Sequence, residues 1–173
     1  MSGKKKVIII NGKGGSGKDT VCDIVGKHYK TWTVSSITVV KEAARTLGWA
    51  GGKDPADRKF LADLKFLSTA YNDMPFKTLM AKYGMFKDYT SDEILFVHIS
   101  EPEEIEKFRQ AVMKDGGDVT TLLIRTDRTK EPYGNMADDG VDNYQYDHVF
   151  QNDFPIEELE DRFMEYFNRE IYS

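Results

Sequence analysis

The chain has 173 residues and a formal net charge of −5 with no dense basic stripe, which argues against a nucleic-acid polymer as its main partner while leaving nucleotides open. That length suits one domain with a substantial core, spanning residues 1–173, and is short for two. A single cysteine, Cys22, excludes an internal disulfide and points to a reducing, cytoplasmic setting; its place in the first expected helix marks a buried structural thiol rather than a nucleophile.

Lys4, Lys5 and Lys6 have the charge of a signal n-region, but the apolar run behind them is too short for a signal core, and no segment approaches membrane-spanning length. That run, Val7 to Ile10, is expected as a buried strand. It leads into Gly12, Gly14, Gly15, Ser16, Gly17 and Lys18, with Gly12, Gly17 and Lys18 filling the fixed positions of the phosphate-loop pattern GxxxxGK[ST]. Glycines let successive backbone N–H groups curl around phosphate oxygens, and the helix that follows turns its positive end and the Lys18 ammonium toward the same anion. The slot that ordinarily holds a hydroxyl is Asp19, with Thr20 next. Asp19 either holds magnesium through water or is an exposed carboxylate stabilised by the helix dipole alone. Val21, Ile24, Val25, His28 and Tyr29 recur at helical spacing and complete the strand, loop and helix order that the motif requires.

Thr31 to Val34 is expected as a second strand and Lys41 to Leu47 as a short helix stopped by Gly48. Asp54 and Pro55 then open a longer helix as cap and first residue, with Phe60, Leu61, Leu64 and Leu67 as its apolar face through about Asp73. Pro75 breaks the pattern, and Phe76, Leu79, Met80 and Tyr83 mark a further short helix before Gly84. Residues 37–88 thus form a helical insert between strands.

Ile94 to Ile99 has the composition of a buried strand, and Ser100 with Glu103 has the spacing of a capping box for a helix carrying Ile105, Phe108 and Val112. Val119 to Arg125 is the next strand, Thr126 to Gln145 a polar, glycine-containing stretch with the character of a lid, Tyr146 to Phe150 a last strand, and Ile156, Leu159, Phe163 and Phe167 the face of a closing helix. Strands alternating with helices imply a mainly parallel, five-stranded α/β sheet covered on both faces. Ligands of such sheets lie beyond the strands' carboxyl ends, so Asn11, Val34 to Ser36, Ile99 to Glu101 and Arg125 to Arg128 are expected to converge on one cleft.

The GKGGSGKDT loop, the helical insert and the ending GVDNYQYDHVFQND before a terminal helix resemble P-loop kinases of the nucleoside monophosphate kinase type. Two branches share an SGKD loop: phage deoxynucleoside monophosphate kinases and animal-type phosphomevalonate kinases. The resemblance implies a three-layer P-loop NTPase fold and an ATP-dependent phosphotransferase with magnesium as cofactor. Its implied acceptor is a small phosphorylated molecule, a nucleoside or deoxynucleoside monophosphate first; another small-metabolite acceptor and a non-catalytic nucleotide-binding module are the alternatives.

The resemblance assigns Lys18 to the β/γ-phosphates, Thr20 to the α-phosphate or the metal shell, and Arg125 and Arg128, with Lys130, to a clamp on the transferring phosphate; the alternative for Arg128 and Lys130 is solvated pairing with Asp127 and Glu131. The acceptor site is then expected in the insert. Lys41 and Arg45 share one helix face there, and Arg58 and Lys65 lie two turns apart on the next helix, either as a cationic pocket or as solvated pairs with neighbouring acids. Trp49 near Gly51 and Gly52 either stacks on a base or packs. At the third strand His98, Ile99 and Ser100 stand where the deoxynucleotide branch has Asp-Val-Arg. Glu101 could replace the missing acid, and His98 could donate to a phosphate or be a packed neutral residue. His28 on the first helix and His148 in the last strand are expected to be structural.

Overall fold

The computed structural model describes residues 4–128 and 140–173. In chain order the elements are β1 (Lys6–Asn11), α1 (Lys18–Gly26), β2 (Thr31–Ser35), α2 (Thr38–Thr46), α3 (Pro55–Asn72), α4 (Met74–Tyr89), β3 (Ile94–His98), α5 (Pro102–Lys114), β4 (Val119–Arg125), a 3-10 turn (Val141–Asn143), β5 (His148–Gln151) and α6 (Ile156–Tyr166), which runs on into a π turn (Phe167–Ile171).

The strands form one sheet in the order β2-β3-β1-β4-β5, and every neighbouring pair is parallel. β1 is central. Its register sets Ile10 beside His98 and Asn11 beside Leu123, so the loop leaving β1 opens between the ends of β3 and β4, where the chain's strand order reverses.

Alternation along β1 builds two cores. Ile8 and Ile10 face α1 and α6, packing with Val21, Ile24, Val25, Leu159 and Phe163; Val7 and Ile9 face α4 and α5, packing with Leu79, Phe86, Ile105, Phe108 and Val112. Both faces of β1 and β3 are therefore apolar, and each fully buried aliphatic or aromatic side chain contributes about 1.5–3 kcal/mol. Phe150 meets Phe163 edge-on at 5.0 Å, fastening the last strand to α6.

Several local expectations change under tertiary contact. α1 ends at Gly26, short of His28 and Tyr29. His28 does not join an apolar face: its Nε2 lies at the surface 3.3 Å from Glu160 Oε1, while Tyr29 packs on Phe167 and Tyr172. α4 continues through Gly84 to Tyr89, because its buried face of Leu79, Tyr83 and Phe86 spans that glycine. The Asp54 cap forms, accepting the Asp57 N–H at 2.8 Å. Even so, α3 buries none of its residues; Phe60 and Leu67 are exposed and Leu61 and Leu64 only half-buried. The Ser100 and Glu103 capping box is absent. α5 instead starts at Pro102, whose fixed φ suits the first helical position, and Glu101 becomes the cap residue. β5 starts at His148 rather than Tyr146, since the Asp147 carboxylate takes the Thr121 N–H at 3.0 Å and ends the ladder there.

The N-terminal lysines serve the fold. Lys5 Nζ donates to the carbonyls of Phe86, Thr90 and Asp92 at 2.7, 2.8 and 2.9 Å, and it lies 4.4 Å from the Phe86 ring centre. The Phe86 and Thr90 carbonyls lie at the C-terminal end of α4, where no later turn supplies backbone N–H groups, and the Asp92 carbonyl ties in the segment that leads to β3. Lys5→Met is expected to lower unfolding stability by about 1–3 kcal/mol, read as a lower urea midpoint at unchanged slope; an unchanged midpoint contradicts this capping role.

Candidate functional site

The site begins at the carboxyl end of β1. Asn11 is buried; its Oδ1 accepts the Gly12 N–H at 2.8 Å, and its Nδ2 donates to the Ser100 carbonyl at 3.1 Å and the Tyr146 hydroxyl at 2.9 Å. One side chain thus joins the loops after β1 and β3 to the segment before β5. Gly17 caps α1 in the left-handed region, with φ 100° and ψ 15°. A Cβ there would run into the Asn152 amide, whose Nδ2 donates to the Ser16 carbonyl at 2.8 Å, and a Cβ at Gly12 would strike the Ile124 carbonyl and Ser16 Oγ. Glycine is required at both places by space, and at Gly17 by φ as well.

Within this cradle Lys18 Nζ donates to the Gly12 carbonyl at 2.6 Å, so its ammonium spans the loop from one end to the other. Ser16 is 1% exposed, and its Oγ has no hydrogen-bond partner among the described residues. An orphaned hydroxyl inside a ring of glycine backbone fits a triphosphate, which supplies acceptor oxygens where the loop turns inward. Asp19 and Thr20 occupy the first turn of α1 and are exposed, the Asp19 side chain at 91%.

His98 ends β3 beside them. Its Nε2 lies 3.8 Å from Cys22 Sγ and 3.9 Å from Asp19 Oδ1. Burial pushes the imidazole below its ordinary value and Lys18 adds to that, while Asp19 pulls the other way. Burial, with Asp19 and Asp23 adding, pushes the Cys22 thiol well up, so it is protonated and inert.

On the insert side, Lys65 reaches from α3 across to the sheet. Its Nζ donates to Glu101 Oε2 at 2.6 Å and to Ser36 Oγ at 3.2 Å. Ser36 and Glu101 end the loops after β2 and β3, so three segments meet in one ion-paired cluster. Arg45 instead stacks over the Trp49 ring at 5.0 Å, and the Trp49 indole donates to the Gly52 carbonyl at 3.1 Å. Arg58 Nε donates to the Lys53 carbonyl at 2.9 Å, and Lys41 lies half-buried on α2.

On the β4 side, Arg125 Nη2 is 3.4 Å from Asp142 Oδ1, and Lys13 Nζ is 3.8 Å from Asp142 Oδ2. These three residues, with Ser16, Thr126 and Val141, line a cavity of about 350 Å³ beside the loop. Arg128 turns away, donating from Nη2 to the Asn152 carbonyl and from Nε to Thr126 Oγ1, both at 3.1 Å. Lys130 and most of the expected lid lie outside the described residues. Ser36, expected in the cleft from its place after the second strand, is in the Lys65 cluster, whereas Lys13, Asp142 and Asn152 were not anticipated. A position in the loop pattern could have raised Lys13; nothing in local spacing signals the other two.

The His98 environment carries a pH prediction. With its folded pKa below 6.5, the unfolded chain binds more protons in acid, so this stability is fully present above 6.5 and lost as pH falls through the folded value. An NMR titration is expected to place His98 below 6.5, and His98→Gln to soften the decline in urea midpoint on going from about pH 7.5 to about pH 5.5. A titration at or above the ordinary value contradicts the burial argument.

Neither a family model nor a curated protein sequence matches the chain. Solved structures do. A sugar kinase from Janibacter sp. aligns over 95% of this chain and 95% of its own at 14% identity and a TM-score of 0.52. Shikimate kinase from Aquifex aeolicus vf5 aligns over 94% of this chain and 96% of its own at 14% identity and a TM-score of 0.50. Likeness at these identities concerns the path of the backbone. The chain therefore has the α/β P-loop fold of these kinases, a five-stranded parallel sheet between helical layers with the glycine-rich loop at its centre.

Proposed function

We propose that this chain is a single-domain, ATP-dependent phosphotransferase whose acceptor is a small phosphorylated molecule, a nucleoside or deoxynucleoside monophosphate. The observation that carries the reading is the phosphate cradle: left-handed Gly17 at the start of α1, buried Ser16 with its unpartnered Oγ, and Lys18 lying across the loop. It opens between β3 and β4, beside loops that carry both cations and acids.

In the proposed reaction an acceptor phosphate oxygen forms a bond to the γ-phosphorus as the bond from that phosphorus to the β-bridging oxygen breaks, and ADP leaves with the electron pair. The protein's work is alignment and charge stabilisation. Loop N–H groups from Gly12 to Lys18 hold the β-phosphate, and the Lys18 ammonium moves from the Gly12 carbonyl to the β/γ oxygens, where charge builds up. Asp19 and Thr20 are the protein groups assigned to magnesium, which when bound with the triphosphate neutralises part of that charge. Arg125 and Arg128 are assigned to the transferring phosphate. Arg125 stands nearer to that task, since Arg128 is turned toward Asn152.

For the acceptor, Lys41, Arg45, Arg58, Lys65, His98 and Glu101 remain the assigned groups. Their surroundings favour naming a second reading. Lys65 is paired with Glu101, and His98, Ile99 and Ser100 stand at the end of the third strand where the resemblance implies an acid and an arginine, so the pocket is less cationic than the insert's composition suggests. That balance suits an acceptor read partly through hydroxyl or amino groups, such as another phosphorylated metabolite of the phosphomevalonate type.

A panel of nucleoside, deoxynucleoside and isoprenoid-precursor monophosphates, followed for acceptor-dependent ADP release with ATP and magnesium, is expected to yield one preferred class. ATP binding without turnover on any member would leave a nucleotide-binding module instead. Lys18→Ala is expected to cut phosphoryl transfer by roughly 10²–10³-fold and to weaken ATP binding, and retention of wild-type affinity removes the donor assignment. Arg58→Ala is expected to raise the acceptor KM far more than that of ATP; equal effects count against an acceptor site in the insert.

A further inference from the structure

Beside the phosphate cradle stands an acid that the proposed reaction does not use. Asp142 lies in the 3-10 turn Val141–Asn143, with Oδ2 3.8 Å from Lys13 Nζ and Oδ1 3.4 Å from Arg125 Nη2. One carboxylate thus joins a cation of the glycine-rich loop to a cation at the end of β4. The turn is held in place from beneath. Val141 is buried, its carbonyl accepts the Tyr146 hydroxyl at 2.7 Å, and that hydroxyl accepts from Asn11 Nδ2 at 2.9 Å. Asn11 in turn accepts the first N–H of the loop, from Gly12. The carboxylate and the cradle therefore share one anchor.

Two oxygens facing an ammonium at 3.8 Å and a guanidinium at 3.4 Å make the charge pattern that a phosphate group presents to the same pair. Lys13, Ser16, Arg125 and Asp142 also line a single cavity of about 350 Å³, so an anion entering beside the loop meets Asp142 among these cations. Resting on the donor-site reading above, we propose that Asp142 is an internal stand-in for a donor phosphate, displaced when a nucleoside triphosphate takes over Lys13 and Arg125.

The arrangement makes Lys13 a donor ligand. It also makes Asp142 an autoinhibitory contact, because a carboxylate left near the polyphosphate repels it. The pairs are suited to exchange. The side chains of Asp142 and Arg125 are each 49% exposed, and ion pairs at such exposure are weak, whereas a phosphate carries more charge and more acceptor oxygens. Displacing the carboxylate also loosens what binds the 3-10 turn to the loop, so donor binding and the position of this turn are coupled.

The experiment is direct titration of ATP, ADP and adenosine into the full chain, comparing wild type with Asp142→Asn, which removes the charge and keeps the shape. Asp142→Asn is expected to tighten ATP by about 3- to 10-fold, to tighten ADP less, and to leave adenosine unchanged. Added in a Lys13→Met background, the same substitution is expected to give a smaller gain, since one released cation is gone. Asp142→Ser carries the same expectations and serves if the amide variant fails to fold, which a thermal melt reports. Unchanged or weaker ATP binding in the folded variant overturns the proposal, as does an equal gain for adenosine. If wild type itself binds no ATP, the donor reading falls too; if wild type binds and the variant does not gain, only this inference falls.

Discussion

The bond from the Asn152 amide to the Ser16 carbonyl, 2.8 Å long, is the contact on which the rest of the site depends. It holds the glycine-rich loop against the segment after β5, and the Asn152 N–H fastens that segment to the Arg125 carbonyl at 2.6 Å. The amide has room because Gly17 carries no side chain. Residues far apart in the chain thereby become one rigid frame, and α1 starts from it at a set angle. Both groups are buried, so losing either partner leaves the other without water to replace it.

A second constraint is electrostatic. The cations gathered at the sheet's carboxyl edge are satisfied by the protein itself: Lys18 by the Gly12 carbonyl, Lys65 by Glu101 and Ser36, Lys13 and Arg125 by Asp142. Leaving such groups half-buried and unpaired costs several kcal/mol, so acids are expected beside the cations at this edge. In the proposed donor site each such pairing is exchanged for one with the incoming anion. The Lys65 and Glu101 pair adds a mechanical consequence. α3 buries none of its own residues, so this bridge, whose lysine side chain is only 12% exposed, helps hold the insert against the sheet.

Much of the architecture was legible from local pattern. The apolar run of β1, the glycine spacing, the Asp54 cap and the spans of β3 and β4 follow from periodicity and from residues adjacent in the chain. Misreadings occurred where a distant partner outweighed a local signal. Gly84 has the form of a helix stop, yet the buried face of α4 continues past it and Lys5 caps the carbonyls beyond. Ser100 and Glu103 have the spacing of a capping box, yet Pro102 fixes the start of α5 one residue later. The leucines of α3 have helical spacing, yet none of the helix's residues is buried, and spacing alone does not say how deeply a face is covered.

By itself the sequence determined that a glycine-rich loop stands between a buried strand and a helix, within alternating strands and helices. That information is local, since a glycine's φ, a helix period and a capping residue act over a few positions. Tertiary structure alone decided which acid meets which cation. Lys13 finds Asp142, Lys65 finds Glu101 and Asn152 finds Ser16 only after parallel pairing of β1 with β3 and β4, and of β4 with β5, brings their loops to one edge. The physical reason is that ion pairs and amide contacts depend on distance in space, and the strand order sets those distances independently of separation along the chain.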